Sequence, residues 1–377
     1  SARGGTERVK SKMTRAAGLF LAVIALISLT LCTGCGNKQP AAGPAAPKID
    51  RFGAADGLPH DVITALAVFG NQIWVGTKSG VARYDGVNWQ VHVTKNTNSL
   101  GSNEITSLAA AGSYILIGTD NGVTRYDGKN WGQVMSGSRA RSVAAKDAQM
   151  AVATAHGLEY STGGQFQAFG KENAGLTSDE ATTVGFDGKG NVWVGLQLGM
   201  AQLNGQMFIN HSGPAKTVMG NSLVDVKANP PTCQLIGNNI TTIVPYKGMM
   251  AIGTTSGVSI TDMGMAWTNY NSVHKEWVQR GNNIVEETMP GNSPMPGNLV
   301  TSLTVLPGDA GLVIGTNRGV AVLRDATWVD LAGKLDDIKS NQITAVAVQE
   351  NSLWVGTQSG LYRVNNFLAM IGAEGVK

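Results

Sequence analysis

The chain reads as short runs in which apolar and polar positions alternate, cut apart by glycine. "ITALAV" (63–68) alternates from a β-branched start. "QIWVGT" (72–77), "GVARYDG" (80–86) and "NWQVHV" (88–93) follow within a few residues of one another. Period-two alternation bounded by turn residues predicts four strands joined by hairpins, here termed A to D. The B–C connection "TKSG" ends in a glycine, which adopts positive φ without steric cost. Asp85-Gly86, Asp127-Gly128 and Asn204-Gly205 are two-residue hairpin signals for the C–D connection. Gly76 falls inside a strand, where it is expected to let neighbouring backbones approach closely.

The pattern recurs. With the glycine of "VGT" as a ruler, the same position is Gly76, Gly118, Ala153, Gly195, Gly253, Gly315 and Gly356. A second glycine follows four residues later each time, from Gly80 to Gly360. The spacings are 42, 35, 42, 58, 62 and 41 residues. Repeats of about 40 residues, each a set of short strands, predict an all-β, seven-bladed β-propeller of four-stranded antiparallel blades. A lone four-stranded sheet cannot hide both apolar faces, so each blade must pack against its neighbours. Trp74, Trp193 and Trp354 share a strand-B position, and Trp89, Trp131, Trp267 and Trp328 begin strand D. Recurrence at fixed places marks them as packing between blades, with a stacking platform for a sugar or nucleobase as the alternative. For the outer strand of the last blade, "KIDRF" (48–52) competes with "NNFLAMI" (365–371). The first is better placed, because it precedes "GLP" as strand D precedes each next blade.

The stretch "NEITSLAAAGSYILIGTDNGVTRYDG" resembles the two-component regulator propeller repeat, and "GLPHDVI" ahead of the first blade fits the same pattern. The resemblance covers about residues 57–365 and is strongest in blades 1, 2 and 7. It implies a periplasmic sensor module of the kind placed before a histidine kinase and often read as carbohydrate-sensing. No membrane span or kinase follows the repeats in this sequence, so kinase activity is not expected.

Composition adds an address. Hydrophobic residues make up 42% and charged residues 15%, the balance of a folded chain. Five of the 29 basic residues, but only one of the 26 acidic ones, lie in the first 34 positions. The remaining 24 basic and 25 acidic residues offer no concentrated basic face, so nucleic acid is not an expected partner. "AAGLFLAVIALISLTL" (16–31) follows basic residues and precedes small ones, which predicts a secretory signal over 1–34, with Met13 a possible start. "LCTGCGNK" resembles a bacterial lipoprotein signal, although Cys32 stands where that family usually has Leu. The resemblance implies lipidation at Cys35, a membrane attachment through the lipid only, and an envelope location with the outer membrane favoured. Residues 35–48, rich in Pro and Ala, read as a tether. The propeller is expected over 49–371, with a tail at 372–377. Cys233 is the remaining body cysteine, has no adjacent His or acid, and reads as an inert thiol.

Functional candidates lie where repetition fails or forms rings. Two insertions, 211–239 and 271–297, occupy the D–A connections after blades 4 and 5 and share a face with the B–C turns. As adjacent long loops on a rigid ring they are the expected binding surface. Just before strand A sit Asp61, Asn103, Ser138, Asp179, Asn238, Asn298 and Asn341, read as turn caps or as a ligand ring at the channel mouth. Within strand A sit Thr64, Thr106, Arg141, Thr182, Thr241, Thr301 and Thr344. Arg141 interrupts the threonines, as an anion-binding group or as half of an internal salt bridge. Asp120, His156 and Arg318 stand on B–C turns. No metal-spaced histidine pair, haem motif, nucleophile elbow or phosphate loop occurs, so neither catalysis nor a cofactor is expected. The expected role is a binding, scaffold or sensor module for an envelope protein or glycan. The alternative is a propeller lyase or lactone hydrolase at the channel mouth, in which His156 takes part, as in streptogramin-lyase-like propellers.

Overall fold

The computed structural model describes residues 47–331, 334–339 and 342–373. The signal segment, Cys35, most of the tether, Asn341 and the last four residues therefore lie outside the described residues. The described chain forms seven four-stranded antiparallel sheets. Each strand A touches the A strands of the blades before and after it, and the seventh returns to the first. This is the predicted seven-bladed β-propeller. Blade 1 runs Ile63–Phe69, Gln72–Thr77, Gly80–Tyr84 and Trp89–His92 in ladder order.

Blade 7 is assembled from both ends of the described chain. Ile343–Gln349, Ser352–Thr357 and Gly360–Val364 supply its inner strands, and Ile49–Phe52 pairs along the last of these from Ile49↔Val364 to Phe52↔Leu361. The Phe52 ring then lies 5.6 Å from Trp89 and 5.8 Å from Trp354, between the first and last blades. The competing segment forms the short helix Phe367–Met370, whose fully buried Phe367 packs into the core between blades 6 and 7.

Turn chemistry explains the repeated letters. Thr77 Oγ1 donates to the Gly80 carbonyl at 2.7 Å and accepts from the Ser79 N–H at 3.1 Å, so "GTxxG" is a closed turn with its glycine at φ 141°. Thr119, Thr254, Thr316 and Thr357 repeat the first bond. Of the three expected two-residue C–D connections, that at Asn204-Gly205 is one, since Asn204 pairs with Met207, but the two at Asp85 and Asp127 differ. Tyr84 pairs with Trp89 and Tyr126 with Trp131, so these loops hold four residues, not two. Asp85 Oδ1 accepts the N–H groups of Val87 and Asn88, and Asp127 Oδ1 those of Lys129 and Asn130. The aspartate thus folds a wider turn around its own side chain.

The strand-B glycine also differs. A Cβ on Gly76 would stand 2.6 Å from Ile105 Cγ2, a side chain of the next blade rather than a neighbouring backbone. Gly195 meets Ile240, Gly253 meets Val300, Gly315 meets Ile343 and Gly356 meets Ile63 in the same way. Each glycine is the hole into which the first apolar residue of the next strand A fits. Two junctions depart from this: Gly118 faces the smaller Ala140, and Ala153 has its counterpart one blade on, where Ala181 replaces the branched residue. Ala153 and Ala181 are fully buried in one cluster. The tryptophans pack where expected, with Trp74, Trp193 and Trp354 almost fully buried.

Gly76→Ala should cost about 1–3 kcal/mol by overpacking, and Ile105→Ala about 2–5 kcal/mol by cavity formation. The double variant recreates the Ala153/Ala181 pairing, so denaturant unfolding should show it less destabilised than the two losses added. Strict additivity would mean that the junction is not the contact at stake.

Candidate functional site

The seven A strands line a central channel of about 780 Å³. Six of them enter it through a β-bulge or register shift at the threonine position, as between Ile63 and Ala65 or Ile240 and Thr242. The bulge turns the threonine toward the next blade. Thr106 Oγ1 donates to the Ala140 carbonyl, and Thr182 Oγ1 to the Ile240 carbonyl at 2.6 Å. Arg141 Nη1 reaches the equivalent carbonyl, that of Ala181, at 3.3 Å and also pairs with Glu180. Arg141 therefore makes the same blade-to-blade bond as the threonines on either side, with a longer arm. The Oγ1 atoms of Thr64, Thr241, Thr301 and Thr344 are sheltered from solvent with no partner among the described residues, so they do not present a ring of hydroxyls to the lumen. One position further along, Ser107 and Ser302 accept the N–H groups of Val143 and Val346 in the following blades, both at 3.1 Å.

The other charged groups of the channel wall are engaged too. Lys146 Nζ donates to the carbonyls of Asp187 and Gly188, both at 3.2 Å. Burial pushes the Asp187 carboxyl up, but hydrogen bonds from Asn191, Trp193 and the Lys189 N–H outweigh it and hold the carboxyl below its ordinary range. Among the described residues, the wall offers no acid and base left free to exchange protons with a substrate.

The polar residues before strand A clamp the D–A connections. Asp61 Oδ1 accepts from the Ala54 N–H, Asn103 Oδ1 from Thr94, Asp179 Oδ1 from Lys171, Asn238 Oδ1 from Gly213 and Asn298 Oδ1 from Ser272, at 2.6–2.8 Å. The repeated spacing marked a ring; the partner is the backbone just past the preceding strand D. Asp120, His156 and Arg318 stand exposed on B–C turns, and the channel is lined by Arg141 but not by these three or by Asp179. No group of three or more His, Cys, Asp or Glu among the described residues is placed to hold a metal ion.

The insertions are hairpins rather than loops. The first pairs Ala215–Met219 with Ser222–Val226, and the second His274–Arg280 with Asn283–Met289. Gly220 and Gly281, at φ 61° and 58°, make both turns. The alternation in "AKTVMGNSLVDV" and "HKEWVQRGNNIVEETM" carries this signal, each with a Gly-Asn turn. The hairpins touch, with the Leu223 N–H donating to Gln279 Oε1 at 3.1 Å. Between them opens a groove of about 610 Å³ walled by Pro214, Val218 and Leu223 on one side and Trp277 on the other. Trp277 is the one tryptophan of eight outside the repeat positions, and it is 55% exposed. That mismatch is the sequence signal by which the site was findable.

No family model and no curated protein matches this chain. Solved structures do. The extracellular domain of the hybrid two component system BT4673 from B. thetaiotaomicron aligns at 17% identity and TM-score 0.61, over 84% of this chain and 40% of that one. Its counterpart BT3049 from the same organism aligns at 16% and 0.60, over 84% and 42%. The shared feature is the propeller fold. This chain spans about two fifths of the length of those two proteins. A catalytically inactive virginiamycin B lyase from Staphylococcus aureus with quinupristin aligns at 7% and 0.57, over 85% and 99%. At such identities both kinds of neighbour report architecture alone.

Arg141 and His92 each bear on stability. Arg141→Thr restores the repeat residue and exchanges a partly exposed ion pair for a hydroxyl, so denaturant melts should move by about 1 kcal/mol or less. His92 sits at the strand-D slot filled by Phe52 and Phe169 in blades 7 and 3, stacked on Trp74 with Nε2 buried and unpartnered among the described residues. Burial lowers its pKa from 6.5 to about 4, with Arg83 adding to the effect. The unfolded chain therefore binds the proton first. Stability is intact above pH 6.5 and falls as pH drops from 6.5 toward 4, by roughly 3 kcal/mol at most. His92→Phe should flatten that part of the pH–stability curve; an unchanged slope would assign it elsewhere.

Proposed function

We propose that this chain is a non-catalytic binding or sensor module of the cell envelope, of the two-component regulator propeller type, working through the face that carries the two hairpins. The observation that carries the reading is the placement of exposed apolar surface. Six of the eleven large hydrophobic side chains exposed among the described residues lie in the two insertions: Val218, Met219, Val224, Val226, Val273 and Trp277. Surface of this kind, concentrated on projecting elements, marks an interaction site. The rigid ring beneath holds it in place, which limits the ordering cost of binding. Likeness in fold to extracellular domains of two-component proteins supports a sensor reading and export. The lipoprotein-like signal supports attachment through Cys35 at the outer membrane. An envelope protein or a glycan is the class of partner.

A photo-crosslinking side chain placed at position 224 or 277 in cells should give a discrete adduct. The same group at Val87, on a C–D turn of the opposite face, should give none. Equal adducts from both faces, or none from positions 224 and 277, would reject this face as the working surface. For the address, Cys35→Ser should abolish palmitate labelling and release the protein from the membrane fraction.

A further inference from the structure

The first hairpin is a two-stranded sheet, with Ala215–Met219 paired to Ser222–Val226 alone. We propose that the free edge of Ala215–Met219 binds an extended polypeptide segment of a partner, with apolar side chains at alternate positions. This rests on the reading of the hairpin face as the working surface.

Four observations converge. The two-residue turn makes Met219 and Ser222 a hydrogen-bonded pair, and in an antiparallel ladder such pairs alternate with open ones. Val218↔Leu223 and Lys216↔Asp225 are then open pairs, whose N–H and C=O groups point away from the hairpin. Leu223 confirms the phase, since its N–H leaves the hairpin and is bonded to Gln279 of the second one. On the other edge, Lys216 and Val218 present the same groups with no hydrogen-bond partner among the described residues. Four of the five residues in that strand are exposed, and it pairs with nothing but Ser222–Val226.

Apolar side chains stand on both faces of this hairpin. Val218 and Leu223 face the groove beside Trp277, and the exposed Met219 and Val224 lie on the reverse. A two-stranded hairpin with both faces in water is marginal, and a third strand completes it. A sugar or a lipid headgroup lying on one face would leave the other bare and the edge unpaired. An added strand pairs its backbone with the edge and sends alternate side chains to both faces. The charges of the groove balance, with Lys216 and Lys227 against Asp225 and Glu276, which suits a neutral segment and not a polyanion or an anionic bilayer.

The probe is a nonapeptide selected from a displayed random library on the full chain, counter-selected on a variant whose first hairpin is cut to a short turn. Lys216→Pro removes an edge N–H that the hairpin ladder itself does not use, and Lys216→Ala retains it. Lys216→Pro should weaken the peptide about tenfold or more, and Lys216→Ala by less than about threefold. Should the proline variant lose its hairpin, the peptide supplies the second measurement. N-methylation of one alternate set of its amides should abolish binding, and of the other set should be tolerated. Failure to enrich any hairpin-dependent peptide overturns the proposal. So does hairpin-dependent binding of phosphatidylcholine vesicles or dextran in its place. A selected peptide indifferent to Lys216→Pro and to both methylation sets also overturns strand addition, while leaving this face as a binding surface. Absence of position-specific crosslinks from 224 and 277 would instead remove the face itself.

Discussion

The ring depends on a contact repeated at five of its seven junctions: the first apolar residue of strand A entering the space left by a missing side chain in the preceding blade. Ile105 over Gly76 and Ile63 over Gly356 are two instances of the same fit, the second of which closes the circle. Sheets that lean on each other at this distance leave no room for a Cβ. Blade 3 shows the pair changing together, with Ala153 facing a junction where Ala181 replaces the larger residue, while Gly118 stays glycine opposite Ala140. The threonine and serine bonds around the channel follow from that spacing. They reach from one strand A to the next because the backbones stand close but do not pair.

The same arrangement sets where the side chains of the channel wall point. Its threonine hydroxyls are sheltered from the lumen, two of them bonding to the next blade, and its charged groups are held by an ion pair or by hydrogen bonds. Arg141, the residue that departs from the repeat, makes the same link as the threonines on either side. The pre-strand ring of Asp and Asn does comparable work at the channel mouth, anchoring each D–A connection as it turns inward. Rigidity built this way frees the D–A connections to carry long insertions without loss of the ring. The hairpins after blades 4 and 5 stand on that support, and the exposed apolar side chains gather on them.

Strand number, blade number and the places of the tryptophans were legible in the sequence, because alternation and glycine spacing report directly on which side chains are buried. The turn at Asp85 was misread in length, since a two-residue and a four-residue loop begin with the same letters. What separates them is the Asp85 carboxylate bonding to Val87 and Asn88. The insertions were legible as insertions. Their hairpin form was visible in the alternation around Gly220 and Gly281, and Trp277 stood apart from the repeat positions. Reading them as loops missed both.

The amino-acid sequence by itself determined the architecture, because a propeller is written once per blade and local periodicity suffices to specify each sheet. Tertiary structure alone decided what the repeated and exceptional residues face. Whether Gly76 meets a backbone or Ile105, whether Arg141 reaches the Ala181 carbonyl, and which hairpin edge the second hairpin covers are relations between residues 29, 40 and 56 positions apart. No local pattern encodes them, since they arise only when neighbouring blades are brought to packing distance.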